Sequence, residues 1–379
     1  MNFSTKTFQS IDEIKPESWN ELNSSEDPFL KHEFLSALEK SGSVSVENGW
    51  LVSHYGWLNS DNEVIAVLPL YIKNHSYGEY MFDWDWANSL HQAGIKYYPK
   101  GVSAIPFTPV PGGRLLTRED NGEQITSELV KQLLTTVDQQ GLSNLQCLFL
   151  EKEESKHWSS AGAIIRSGYQ FTWYNREYDV FDDFLSSLRS SARKKINRER
   201  KLLSEKGISF SQYHKDDISD ELLDFFYLCY QKTYMKRSGH GGYLNRDFFQ
   251  LLKENMADDL LLVCATYDNK PIASALFIKG KSILYGRYWG AMEEIDGLHF
   301  ECCYYQAIDY CIKNEIHCFQ PGTQGDYKRR RGFKPEYVYG AYYFPDTGLH
   351  QSIQRYVTEE ANYLGRLFTK WKDSDPYKL

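Results

Sequence analysis

The sequence predicts a mixed α/β protein that builds one arrangement of strands and helices twice. Three observations carry this expectation. The chain has 379 residues, more than one domain of ordinary size. Short β-branched and aromatic runs bounded by turn clusters recur in both halves. In each half these runs come in the same order relative to helical patterns, the signature of an internal duplication.

In the first half, WLVSHYGWL (50–58) and VIAVLPLYI (64–72) read as strands separated by the turn cluster NSDNE, and GEYMFDWDW (78–86) reads as a third. A helical pattern around 124–140 ends at Gly141. Strand LQCLFLE (145–151), a short helix near 155–167 and strand YQFTWYN (169–175) complete the half. The second half runs DLLLVCATY (259–267), IASALFIK (272–279) and ILYGRYWG (283–290), then a helix near 299–314. Strand IHCFQ (316–320), a short helix around 325–331 and strand EYVYGAYYF (336–344) follow. The endings correspond, with RSGY (166–169) placed as RRGF (330–333) is. The expected domains are 1–178 and 179–379, the second opening with a basic helix over 181–207. In that helix Phe181, Phe184, Leu188, Ala192, Ile196 and Leu203 form an apolar stripe. Arg189, Arg193, Lys194, Arg200 and Lys201 lie opposite it, either as a solvated face or as a cationic wall. Glu199 interrupts the stripe without a reason visible in the sequence.

Composition narrows the function classes. Lys plus Arg number 43 against 51 Asp plus Glu, a net charge of −8, which argues against a dedicated nucleic-acid binder. No apolar run nears the roughly 20 residues that span a bilayer, and the first residues lack the pattern of a signal peptide. Seven cysteines without regular spacing suggest free thiols and a cytoplasmic location. Cys302, Cys303, Cys311, His317 and Cys318 make no paired metal-ligand element, so no metal is expected.

Three stretches carry candidate chemistry. Read as a strand, 78–86 puts Asp83 and Asp85 on one face and Trp84 and Trp86 on the other. Paired carboxylates there face solvent, a cation or a ligand amine, and Arg114 is a candidate partner. His299 with Cys302 or Cys303 has the spacing of a thiol pair on one helix face. The segment PGTQGDYKRRRGF (321–333) suggests a phosphate loop, but the lysine of that motif directly follows its glycine, and here Gly325 precedes Asp326. It divides instead into a loop at a strand end and a short helix closed by Gly332, whose Lys328–Arg331 cations answer the helix dipole.

HSYGEYMFDWDWA (75–87), YYPKGVSAIPFTPVPGGRLL (97–116), RKKINRER (193–200), GRYWG (286–290) and HFECCYYQAIDYCI (299–312) with FQPGTQGDYK (319–328) together resemble one bacterial family. It is the family labelled peptidoglycan biosynthesis/recognition, or predicted N-acyltransferase, in the GNAT superfamily near the FemAB-type aminoacyl transferases. The resemblance runs from about Phe29 to Phe344 and implies two GNAT-like halves. It implies transfer of an acyl or aminoacyl group to a small-molecule or peptide amine bound in the groove between them, with acyl-CoA or aminoacyl-tRNA as donor. The alternative is a binding module for a peptide, glycan or nucleotide-linked precursor. On the GNAT pattern the donor wedges between strands 283–290 and 316–320, which implies donor contacts at Trp289, Gly290, Gly297 and Gln324. Glu301 is the preferred base and His299 its alternative, with Tyr305 as proton donor and Lys328 reaching in. His75, Tyr77, Asp83, Trp84, Asp85, Arg114 and Arg287 are the expected acceptor contacts. Arg193, Lys194 and Arg200 are where a tRNA backbone would lie. Gln320 and Tyr327 replace a carboxylate and an imidazole of the family pattern.

Overall fold

The computed structural model describes residues 4–118, 122–323, 325–372 and 375–378. The chain forms two compact units, one of residues 1–169 and 337–368, the other of 170–336 and 369–379.

The first unit opens with β1 (Ser4–Phe8), α1 (Pro16–Leu22) and α2 (His32–Lys40). β2 (Leu51–Val52), β3 (His54–Leu58), β4 (Val64–Leu68) and β5 (Tyr71–Lys73) follow, then α3 (Trp84–Gln92) and β6 (Lys100–Ser103). β7 (Leu116–Thr117), α4 (Gly122–Gln139), β8 (Leu145–Leu150), α5 (Lys152–Ser160) and β9 (Ile164–Tyr174) complete the first half of the sequence. β1, β3, β4 and β7 form a four-stranded sheet. β2, β5, β6 and β8 lie in that order in a second sheet, with β6 and β8 parallel. One apolar cluster packs Tyr55 and Trp57 against Leu129, Leu133 and Val137 of α4, as the helical period of that segment requires.

The second unit begins with α6 (Phe181–Ser187) and α7 (Ser190–Glu205), two helices where the sequence suggests one, because Leu188 and Arg189 adopt extended backbone. β10 (Ser209–His214), α8 (Asp220–Ser238) and α9 (Arg246–Met256) lead into β11 (Leu260–Tyr267), β12 (Lys270–Lys279) and β13 (Ile283–Ala291). These four strands form an antiparallel meander. α10 (Leu298–Phe300) continues through a π-helical segment, Glu301–Tyr305, into α11 (Gln306–Lys313). β14 (Cys318–Gln320), a 3₁₀ turn at Asp326–Arg331, β15 (Lys334–Tyr343) and α12 (Thr347–Lys372) end the chain.

Each half's last strand is completed in the other unit. β9 pairs its Trp173 and Tyr174 with Phe319 and Cys318 of β14. β15 pairs Tyr339–Tyr343 antiparallel with β8. A division at 178/179 therefore misses that 337–368 belongs with the first unit. The segment 78–86 is no strand. Gly78 and Tyr80 take positive φ values, 81° and 61°, which break an extended run, and Trp86, Ala87 and Leu90 bury one face of α3 instead. Asp83 and Asp85 accordingly part company: Asp83 is buried at the head of α3 and Asp85 is exposed.

Candidate functional site

β13 and β14 run parallel and pair over three residues only, Ile283–Tyr285 against Cys318–Gln320. β13 continues to Ala291, while the other strand ends and turns at Pro321. The local cause lies on the far side of β13. Against β12, Leu276 faces Tyr288 and Phe277 faces Gly286, so Arg287 is the extra residue of a β-bulge. A bulge bends and twists its strand, and this one sits where the pairing with β14 stops. Gly286 permits the last close approach, since a Cβ there would lie 3.1 Å from the Phe319 ring and 3.3 Å from Pro321 Cα. Beyond it β13 continues to Ala291 paired with β12 and not with β14.

The walls near this opening come from the helix that follows. The Trp289 ring meets His299 at 5.2 Å, and His299 meets Tyr304 at 5.3 Å. Burial, together with the nearby basic side chains of Arg237, Lys328 and Arg331, pushes the His299 imidazole down to about 3. Such a group is neutral at physiological pH and a weak base, which counts against it in that role. Glu301 is buried on the π segment. Its Oε1 accepts from Gln306 Nε2 at 2.8 Å, and Oε2 lies 3.2 Å from Arg200 Nε. Burial raises this carboxyl, and Arg200 opposes the shift. Arg200 is thus engaged by Glu301 and stacked 4.4 Å from the Phe181 ring, whereas Lys194 faces solvent and Arg193 is half-buried.

Glu199, unexplained in the sequence, is the centre of a second knot. Its carboxylate accepts from Arg331 Nη2 at 2.7 Å and from the Tyr305 hydroxyl, which in turn accepts from Arg331 Nε at 2.8 Å. Tyr305 is committed at both ends, and burial raises its hydroxyl far above the usual tyrosine range. It is therefore held as a structural link rather than a free proton donor. Arg331 is no solvated helix-cap cation: it is buried with its guanidinium 3.4 Å from the Phe300 ring. Residues three apart eclipse in a 3₁₀ helix, so Lys328 turns inward with Arg331. Lys328 Nζ donates to the carbonyls of Gly322 at 2.8 Å and Thr323 at 3.0 Å. Burial pushes it down to about 7, partly opposed by the Cys303 thiol. Cys302 and Cys303 are themselves raised well above the ordinary thiol range by burial, which removes the thiolate a nucleophilic pair needs.

The expected donor contacts divide. Gly290 serves helix packing, because a Cβ there would sit 1.8 Å from the backbone carbonyl of Cys229 in α8. Gly297 holds the left-handed turn ahead of α10, at φ 88°. Gln324 lies outside the described residues.

The acceptor residues expected in the first unit also divide. Arg114 is fully buried and bonds the carbonyls of Leu148, Gly113 and Val110 beside Asp27 and Glu154, not Asp83. Asp83 pairs instead with Lys100, which the sequence reading passed over. Lys100 Nζ lies 2.6 Å from Asp83 Oδ2, 2.8 Å from Glu79 Oε2 and 2.8 Å from Ser76 Oγ. Tyr97 and Gln146 also donate to Asp83. A second lysine, Lys73, sits 3.8 Å from Glu79 Oε1 and 3.4 Å from the Trp50 ring, with Nζ donating to Tyr77 O. Burial raises Glu79 to about 7 against the pull of Lys100, and lowers Lys73 to about 7 against that of Glu79. Burial acts on Lys100 and Asp83 too, but their mutual attraction wins and both stay ionised. Above this cluster Tyr77 is 57% exposed, and its ring contacts those of His75 and Trp84. The period-2 reading of 78–86 hid this pairing, and only the proximity of β6 to that loop reveals it.

Among the described residues no helix is long and apolar enough to cross a membrane, and no group of His, Cys, Asp and Glu is arranged to hold a metal. No curated protein matches the chain in sequence. Among solved structures, FemX is similar at 11% identity and a TM-score of 0.55, over 93% of this chain and all of that one. The C-terminal domain of a putative lysylphosphatidylglycerol synthetase from Agrobacterium fabrum is similar at 9% identity and a TM-score of 0.54, covering 88% and 92%. L-PGS from Bacillus licheniformis is similar at 12% identity and a TM-score of 0.50, covering 88% and 98%. These likenesses are of fold, and the fold is mixed α/β, as the sequence predicts. With a family model matching residues 10–379, the chain belongs to the FemAB-like family, described as peptidoglycan biosynthesis/recognition.

Proposed function

We propose that the protein transfers an acyl or aminoacyl group to a primary amine, with the donor's carrier arm seated in the opening between β13 and β14. The observation that carries this reading is the bulge at Arg287, beside which the pairing of β13 with β14 ends after Tyr285 while β13 runs on to Ala291. An extended acyl carrier can bond to such an edge as an added strand does. Membership of the FemAB-like family and the FemX-like fold support the same reading. Trp289 and Arg287 are the side chains of β13 beside the arm. The acceptor is a peptide or a small molecule of cell-wall precursor chemistry. The donor is an acyl-CoA or an aminoacyl-tRNA. The engagement of Arg200 by Glu301 thins the basic face a tRNA would use, leaving Arg193 and Lys194.

Incubation of the purified protein with acetyl-CoA and with alanyl-tRNA, each against a panel of primary amines, tests the proposal by mass spectrometry of the products. Transfer from one donor is expected, together with its retention on the protein in native mass spectrometry. No transfer and no retention with either donor would sink it.

A further inference from the structure

The surroundings of Lys328 are unusual for a lysine. The side chain is 1% exposed, yet no carboxylate among the described residues forms an ion pair with it. Its nearest acceptors are two backbone carbonyls, those of Gly322 and Thr323. The titratable groups that face it are the Cys303 thiol on the π segment and the His299 imidazole on α10, both neutral. Of the charged residues on its own turn, Arg331 is engaged by Glu199, and Asp326 acts on Arg329.

Counting donors decides the protonation state. An ammonium has three N–H donors and a full charge, and among the described residues this site offers two acceptors and no counter-charge. A buried unpaired charge is costly. A neutral amine has two N–H donors, which the two carbonyls satisfy, and one lone pair left over. We propose that Lys328 is the general base of the transfer reaction, its side chain held by the Gly322 and Thr323 carbonyls as a neutral amine with the lone pair free.

This inference rests on the transferase reading. The acceptor's amine nitrogen attacks the donor's acyl carbon, and the new N–C bond forms. The C–O or C–S bond to the carrier breaks and the carrier leaves with the electron pair. The surplus proton of the acceptor nitrogen passes to Lys328 Nζ, which then returns it to the carrier's oxygen or sulfur. Glu301, bound to Arg200 and Gln306, is not required as a base.

The test uses the full chain labelled with [13Cε]lysine and followed by NMR from pH 6 to 11. One resonance, absent in Lys328→Met, is expected to titrate at least two pH units below the bulk lysines. Lys73→Met identifies the other low-titrating lysine. In the transfer assay, Lys328→Met is expected to lower kcat on the order of 10²–10⁴-fold with KM little changed. Added methylamine is expected to restore part of the rate to Lys328→Ala, a rescue that a purely structural role would not allow. A Lys328 resonance that titrates with the bulk, or an unchanged kcat in Lys328→Met while the wild type is active, overturns the inference and leaves the transferase reading standing. Failure of the wild type to transfer from either donor removes both.

Discussion

Lys100 in the first unit and Lys328 in the second are both buried, yet their surroundings treat the charge in opposite ways. Lys100 meets two carboxylates at 2.6 and 2.8 Å and remains an ammonium. Lys328 meets two carbonyls and sheds its proton near neutrality. Desolvation disfavours both charges, so the difference lies in what replaces water. Carboxylates return enough attraction to keep an ion, whereas carbonyl dipoles do not. A buried ion pair makes a rigid strut, and a buried unpaired lysine makes a proton acceptor.

The largest effect should come from breaking the strut. Lys100→Met leaves Glu79 and Asp83 buried without their principal cation and should cost about 3–5 kcal/mol in urea unfolding. A cost below about 1 kcal/mol would mean that the cluster is solvated. Arg331→Met strands the carboxylate of Glu199 beside Tyr305 and should cost about 2–3 kcal/mol, somewhat less because Glu199 keeps some solvent contact. Unfolding of Arg331→Met alongside Arg331→Met/Glu199→Gln separates the pair from its packing, and the double variant should recover part of the loss.

The pH dependence of stability sharpens the contrast. The folded-state value of Lys328 is depressed from 10.5 to about 7. Its contribution is therefore complete above 10.5 and is lost as pH falls through 10.5 towards 7, because the unfolded chain takes up the proton first. Relative to Lys328→Met, the wild type should lose about 1 kcal/mol per pH unit across that window. Equal slopes for the two proteins would show Lys328 to be charged when folded. The smallest effect is that of Lys328→Met above pH 10.5, about 1 kcal/mol lost, since only hydrogen bonds to two carbonyls are removed there. At pH 7 the variant should instead be the more stable protein, because it is free of the wild type's deprotonation cost. Thermal unfolding at pH 7 should accordingly show a raised Tm for that variant, where Lys100→Met shows a large fall.

Much of the architecture was legible in the sequence. The meander 259–290 follows from β-rich runs with turn dipeptides between them, and α4 follows from its period and the glycine at 141. The candidate site was legible only in outline. The bulge at Arg287 appears only once β12 supplies a register. Lys328 is expected to reach into the site, but Arg331 reads as a helix-cap cation, because a run of four basic residues hides which others turn inward. The 3₁₀ spacing selects two. The stretch 78–86 failed as a strand because its alternation of acids and tryptophans is also what a buried helix N-terminus with one charge anchored and one exposed looks like.

The sequence by itself determined the order of the elements, the duplication and the family, because these depend on local propensity and on motifs contiguous in the chain. Only the tertiary structure decided which charges are paired. Lys100 and Asp83 are 17 residues apart, and Glu199 and Arg331 are 132 apart. Whether a buried lysine keeps its proton depends on groups brought within 3 Å by folding, and no local pattern encodes that distance.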